Sequence, residues 1–523
     1  MSTPKNILFI MCDQLRADHL SCYGHPYLQT PNIDALAKRG VRFERAFVQS
    51  GVCGPSRMSF YTGRYVSSHG ATWNRVPLSI SEITLGEYLR GKGMDLALAG
   101  KTHVMPDKHG LNRLDIDGGS ALGALLTEGG FSLVDRYDGH HAEPHGGYAE
   151  YLRRHGYLSD DPWTDYVISA IDENGDKVSG WNMRNVHLPA RVQKEHSETA
   201  YTTEQAIRFI ASRGDAPWAL HLSYVKPHWP YMAPAPYHTM YGLDQCLPIK
   251  RHPDELANQH PVLAAYRQQE ECANFMREEV SDKVRPAYQG LITQLDDELG
   301  SLWEALEKHG RWEDTLIVFT ADHGDFLGDH WLGEKEQFYD TVQRVPYIVY
   351  DPSADADGTR GVVSQHLVEA IDTVPTILDA LGREIPDHRV EGRSLLALTR
   401  SGDNMRGVPW RDAVFSELDY SYRQARAILG RNVDECRAWM VRTEDWKYVH
   451  WQGYAPQLFN LKADPDEFHD LGTDAGHESI RAMMHQRLFD WFCNLKRRTT
   501  VWSEEVVRGT NRYKEAGVFY GVW

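Results

Sequence analysis

VRFERAFVQSGVCGPSRMSFYTGRY, residues 41–65, joins the two kinds of structure that decide the fold. Val41, Phe43, Ala46, Phe47 and Val48 form a strand-like apolar run, and SRMSFYTGRY reads as the first turns of a helix. Between them CGPSR, residues 53–57, places a cysteine, a proline and an arginine at alternate positions. Such a cysteine has four readings: a buried thiol, a nucleophile, a metal ligand, or a residue converted after translation. The start of a helix favours an anion, because its backbone N–H groups lack partners and its dipole is positive there. Arg57, one turn on, can bond an oxyanion or the Cys53 side chain.

The same alternation extends in both directions. Ile7 to Ile10 is a short apolar run of the kind buried in a parallel sheet. A loop, residues 13–29, follows. TPNIDALAKRG, residues 30–40, is predicted as a helix with Thr30 as N-cap, Pro31 in the first turn and Gly40 as the stop. Residues 85–89 read as helix, and residues 95–99, 218–222 and 315–320 as strands. Residues 288–309 form an amphipathic helix with Leu291, Leu295, Leu299, Leu302 and Leu306 on one face. Strand and helix in turn predict an α/β domain over residues 1–398 with a large, mainly parallel sheet. From residue 399 the texture changes. Residues 438–442 and 446–451 suggest a hairpin, 457–461 a third strand and 477–496 a helix, so 399–498 is read as a smaller α+β subdomain with an antiparallel sheet. The tail, 499–523, ends VFYGVW and is expected to contact another subunit of a dimer or tetramer.

The chain has 523 residues, 41% hydrophobic and 25% charged, too many for one ordinary core. A net charge of −17 argues against nucleic acid as the main partner, while a few local cations would suffice for a small anion. The run from Ile7 to Cys12 is expected to be too short for a signal peptide or a membrane span, and no run elsewhere is long and apolar enough to cross a bilayer. Seven cysteines without CxxC pairs suggest reduced thiols and a cytoplasmic location.

In open α/β sheets, function gathers at the carboxyl ends of strands. There the sequence sets Asp13-Gln14, Cys53 with Arg57, Lys101 and His103, Lys226 with His228, and Asp322-His323-Gly324-Asp325, with Lys335 beyond. Asp13, Asp322 and His323, with Gln14 as a neutral oxygen donor, suit Ca²⁺, Mg²⁺ or Mn²⁺, and the nitrogen ligand favours Mn²⁺. Each residue also has a plainer reading: Asp13 as a loop cap, Lys101 and Lys335 as solvated lysines, His103 and His228 as packed polar groups. A cysteine phosphatase would need more residues between its cysteine and arginine, and no metal ligands.

Cys53-Gly54-Pro55-Ser56-Arg57 resembles the C-x-P-x-R signature of the type I sulfatases, in the alkaline phosphatase superfamily. TPNIDALAKRGVRFERAFV, TGRY, GKTH, KPHWP, LDDELG, FTADHGDFLGDH, RVPYIVYDP, DTVPTILDALG, EGRSL and LFNLKADPDEFHDL resemble sulfatase blocks in sulfatase order, from about Asn6 to about Leu471. The resemblance implies an alkaline-phosphatase-like fold and hydrolysis of small anionic esters. It also implies one divalent metal, Mn²⁺ or Ca²⁺, with Cys53 joining Asp13, Gln14, Asp322 and His323 at the ion. Cys53 would become formylglycine through a formylglycine-generating enzyme, and its hydrate would attack sulfur or phosphorus. Lys101, Lys335 and His228 would bind the anion, His228 or Lys335 would protonate the leaving group, His103 would take a proton from the second hydroxyl, and Arg57 would hold the formylglycine. Asn74 and Arg75 resemble a substrate-contact position, with a turn role as the alternative.

Two departures bear on the substrate. Many sulfatases have two aspartates where this chain has Asp13-Gln14, and Asn or Gln where it has His323. Both features resemble the branch with phosphonate monoester hydrolases and choline sulfatases. Lys101 and His103, which those phosphonate hydrolases lack by resemblance, favour sulfate monoesters. Arylsulfatase-type hydrolysis is therefore expected, with phosphonate monoester or phosphodiester hydrolysis as the alternative and a silent binding protein as a third. The leaving-group pocket is assigned to loops 105–201 and 231–286.

Overall fold

The computed structural model describes residues 4–139 and 143–510, together with 512, 515 and 517; of Asp403 only the backbone is described. Fourteen strands are present among them: β1 (Asn6–Asp13), β2 (Val41–Phe47), β3 (Leu96–Gly100), β4 (Ser132–Arg136), β5 (Ser169–Ile171), β6 (Lys177–Ser179), β7 (Ala219–Pro227), β8 (Thr315–Ala321), β9 (Arg344–Tyr350), β10 (Val363–Glu369), β11 (Val414–Asp419), β12 (Arg437–Arg442), β13 (Trp446–Trp451) and β14 (Gln457–Asn460). Eight form one sheet in the order β10-β2-β9-β8-β1-β7-β3-β4. Every neighbouring pair is parallel except those made by β9, which runs against both β2 and β8. The central strands β1, β7 and β8 are buried along their whole length. That is why their sequences are apolar runs rather than alternations: helices cover both faces.

Several expectations need adjustment. The long helix runs Glu278–Lys308, ten residues earlier than the leucine stripe suggests, and passes through Pro286. Val280, Val284, Ala287 and Leu291 are all buried, so the apolar face continues across the proline. Packing of that face offsets the missing backbone donor. Thr30 does occupy the N-cap of helix Pro31–Arg39, but its side chain makes no capping bond. Asp296 of the long helix accepts from Asn32 N at 3.1 Å and Ile33 N at 2.8 Å instead, while Thr30 Oγ1 is turned to Ser21 and Asp34. Cys53 is the first residue of its helix, Cys53–Thr62, not the residue before it.

Strands β11-β12-β13-β14 form the antiparallel C-terminal sheet. Helix Glu478–Asn494 lies on β12 and β13 and buries Met484, Leu488 and Trp491. This sheet shares its cores with the large one. Val52, Trp73 and Val342 pack with Leu418, Met440 and Trp451, and Tyr65 and Ile371 pack with Val441 and Trp491. The tail contributes a short helix, Ser503–Gly509. The VFYGVW stretch lies outside the described residues. No helix among the described residues is long and apolar enough to cross a membrane.

Candidate active site

The helix Cys53–Thr62 follows β2, and its Ser56 and Arg57 reach the carboxyl ends of β1 and β8. Cys53 and Arg57 are four residues apart, so they share a face. Both are fully buried, as are Asp13, Gln14, Asp322 and His323. Pro55 sits in the first turn, where its missing N–H costs nothing. Ser56 Oγ donates to the Asp322 carbonyl at 2.5 Å and fastens the helix to β8.

Arg57 organises the floor. Its Nε donates to Asp322 Oδ2 at 2.8 Å, Nη2 to Asp13 Oδ2 at 3.3 Å, and Nη1 to Ser223 Oγ at 2.8 Å and the Lys101 carbonyl at 3.1 Å. Lys101 Nζ also donates to Asp13 Oδ2. Its approach depends on Gly100, whose φ is +104° and where a Cβ would meet the Ser223 carbonyl oxygen at 2.0 Å. Gln14 lies across the site. Its backbone N–H donates to Asp322 Oδ1 at 3.0 Å, its Nε2 donates to Asp325 Oδ2 at 2.5 Å, and its Oε1 accepts from Lys335 Nζ at 3.2 Å.

Around Cys53 Sγ stand His323 Nε2 at 3.1 Å and Lys335 Nζ at 3.1 Å, with Asp13 Oδ1 at 3.8 Å. His103 lines the same cavity as Cys53 and is among the groups that lower its thiol. Lys335 Nζ is 2.9 Å from His228 Nε2, and His228 Nδ1 is 2.7 Å from the Trp229 carbonyl. A carbonyl only accepts, so Nδ1 carries the proton and Nε2 accepts from the lysine. Burial pushes the Cys53 thiol up, but Lys335, Lys101 and His323 outweigh it and hold the thiol well below its ordinary range. Burial and Lys335 together lower His228 to about 3. His323 moves the other way, since Asp322 and Cys53 outweigh its burial. Burial and the Cys53 thiolate push Asp13 up, yet Lys101, His228 and Arg57 bring it well below the usual carboxylate range.

Donor atoms of Asp13, Cys53, Asp322 and His323 all lie within 4.8 Å of one another. Two buried carboxylates and an imidazole fit a divalent cation of hard or borderline character. Gln14 Oε1 faces the same cluster through Lys335.

The site opens into a cavity of about 950 Å³. Cys53, His103, His228 and Lys335 line it, together with Trp73, Arg75, Trp229 and Tyr422. Asn74 lines it too, and its Oδ1 accepts from Gly54 N at 2.7 Å, so it braces the cysteine turn. A Cβ on Gly54 would come within 2.9 Å of that oxygen. The pocket assigned from sequence to two loops therefore has a further wall: Tyr422 and Arg423 come from the C-terminal module, and Tyr422 stacks on Trp73 with planes 4° apart. Asp325, named among the strand-end residues, accepts from Gln14 and Tyr231 without joining the candidate ligands. Ser223, Tyr231 and Asp138 also carry the site and were not singled out for that from sequence; nothing local marks them.

The profile of the Sulfatase family matches residues 5–383, and that of the N-sulphoglucosamine sulphohydrolase C-terminal region matches residues 328–492. The chain belongs to the sulfatase family of hydrolases. It is 34% identical to the multifunctional alkaline phosphatase superfamily protein PehA of Trinickia caryophylli, over 94% of this chain and 95% of that one. It is 28% identical to an arylsulfatase of Clostridium perfringens, over 89% and 90%. Among solved structures, the phosphonate monoester hydrolase of Silicibacter pomeroyi superposes with a TM-score of 0.83 at 29% identity, covering 95% and 96% of the two chains. That of Agrobacterium radiobacter gives 0.80 at 30%, covering 94% and 95%.

Proposed function

We propose that this protein hydrolyses sulfate monoesters at a formylglycine made from Cys53, with a divalent cation held by Asp13, Gln14, Asp322, His323 and the converted residue 53. The observation that carries the reading is the convergence of Lys335 and His323 on Cys53 Sγ in an open cavity that His103 also lines. The aldehyde would supply a hydrate with one hydroxyl to attack sulfur and another whose deprotonation lets sulfate leave, and a cation held by these residues would supply polarisation of the ester oxygens. Arg57, fixed by four bonds, anchors residue 53 from below. Lys101 and Lys335 bind the anionic oxygens. Lys335 Nζ, which donates to a neutral His228 Nε2, is the proton source for the leaving oxygen, and His228 orients it. His103 takes the proton from the second hydroxyl. Mn²⁺ is preferred over Ca²⁺ because one donor is an imidazole. Seven unpaired thiols suit a reducing, cytoplasmic setting. A formylglycine-generating enzyme as maturation partner and a dimer or tetramer as assembly complete the reading; light scattering tests the latter.

A second reading, phosphonate monoester or phosphodiester hydrolysis, is favoured by Gln14 and by the two solved phosphonate monoester hydrolases that superpose on this chain. All three ester types present one negative charge to the same cations. The deciding experiment is the mass of the Cys53 peptide after co-production with a formylglycine-generating enzyme, followed by kcat/KM for matched sulfate, phosphonate and phosphodiester substrates. Conversion to the aldehyde with the sulfate ester preferred supports the first reading. Full activity on an unconverted thiol would overturn both.

A further inference from the structure

One carboxylate at the site belongs to none of the quoted sequence blocks. Asp138 follows the edge strand β4, whose end is drawn to the end of β3 by Tyr137 N donating to the Gly100 carbonyl at 3.1 Å. Asp138 Oδ1 accepts from two successive backbone donors, Thr102 N at 3.1 Å and His103 N at 3.3 Å. Its other oxygen accepts from Arg136 Nη2 at 2.7 Å and Nε at 3.1 Å. Arg136 is itself gripped by both oxygens of Glu128, at 2.9 and 3.0 Å, and donates to the Val104 carbonyl at 3.3 Å. His103 is held with φ at +58°, a left-handed conformation that is uncommon outside glycine, although histidine takes it more readily than most residues. Such a backbone persists only where its surroundings over-determine it. Here the surroundings are Glu128, Arg136 and Asp138.

We infer that Asp138 is a positioning residue for this reaction: it locks the left-handed backbone at His103 so that the imidazole reaches residue 53. The inference rests on the reading above, in which His103 is the proton acceptor. Arg136 and Glu128 extend the same relay and carry no separate role. The arrangement parallels the carboxylate behind a catalytic histidine, except that the carboxylate grips the backbone N–H groups rather than the ring.

The test uses the full chain and three variants: Asp138→Ala, Asp138→Asn and His103→Ala. Hydrogen exchange at the Thr102 and His103 amides, measured on unconverted protein, reads the lock without any turnover. Asp138→Ala should speed exchange at both amides by at least about tenfold, while Asp138→Asn, which keeps an acceptor oxygen, should leave them protected. In converted enzyme, Asp138→Ala should lower kcat about 10- to 100-fold with KM changed by less than about twofold, the range seen when the support of a catalytic ligand is removed. Asp138→Asn should retain most of the parent's kcat, because it keeps the acceptor that grips the two amides. Unchanged exchange in Asp138→Ala, or a rise in KM with kcat intact, would overturn the inference. Full activity in His103→Ala would instead overturn the role given to His103, whatever the exchange experiment shows about Asp138.

Discussion

Two buried ion clusters in this molecule look alike in composition and differ in kind. In one, Asp13 meets Lys101 and Arg57 beneath Cys53. In the other, Asp340 meets Lys447 at 2.6 Å and Arg442 at 3.1 Å, and Lys447 also meets Glu467 at 2.5 Å. Both aspartates are held well below the usual carboxylate range against the effect of burial. A strongly shifted carboxylate therefore marks buried pairing, not chemistry. The difference lies in what remains. Around Asp340 two cations face two carboxylates, and each cation also donates to a backbone carbonyl, Lys447 to Phe338 at 2.8 Å and Arg442 to Thr443 at 2.9 Å. That cluster joins β12 and β13 to the segment that carries Lys335, and holds no thiol or imidazole. Around Asp13, three cations (Arg57, Lys101, Lys335) face Asp13, Asp322 and the Cys53 thiolate. Conversion of Cys53 to an uncharged aldehyde would remove one negative charge and a bound divalent cation would add positive charge, so the cluster would be cationic overall and suited to an anionic ester.

The contrast can be broken by mutation, and the largest effect comes first. Cys53→Ala should reduce turnover by at least about 10³-fold while the circular dichroism spectrum and melting curve stay native; a variant with full activity would end the formylglycine reading. Arg57→Ala strips the counter-charge from two buried carboxylates and should cost about 3–5 kcal/mol in denaturant unfolding along with activity. Lys447→Met should cost stability of similar order, yet leave kcat/KM of the folded protein within about twofold; a large loss of activity there would erase the distinction between the clusters. Lys101→Ala should lower sulfate ester hydrolysis about tenfold more than phosphodiester hydrolysis. Equal losses would remove the reason for ranking sulfate first. The smallest effect concerns acid. Burial raises the Asp340 carboxyl, but Arg442 and Lys447 outweigh it, so its folded pKa lies below its unfolded one. Its contribution to stability is complete above about pH 4 and is lost as pH falls through the folded value. Lys447→Met should therefore move the acid-unfolding midpoint upward by about half a pH unit.

Much of the site is legible because each residue follows a strand whose apolar run is itself legible. Asp13, Lys101, His228 and Asp322 need only the rule that parallel strands deliver their carboxyl ends to one edge. The cap of helix Pro31–Arg39 is not legible, since Thr30 satisfies the local rule while Asp296, far along the chain, supplies the bonds. Asp138 escapes for a related reason. SLVDR, the strand before it, is partly exposed at the sheet edge and carries no buried apolar signature. Tyr422 and Arg423 escape because no local pattern tells a surface aromatic from one facing a cavity 369 residues from Cys53 in the numbering.

By itself the sequence determined the alternation of strands and helices, the position of the cysteine turn and the chemical types gathered at the strand ends. These follow from periodicity, turn chemistry and short-range spacing. Only the tertiary structure decided that β9 runs antiparallel, that Lys335 bridges Cys53 and His228, that the C-terminal module closes one wall of the cavity, and that Asp138 fixes His103. An apolar run buries equally well in either direction, and a charged side chain takes its role from partners brought to it by contacts hundreds of residues apart.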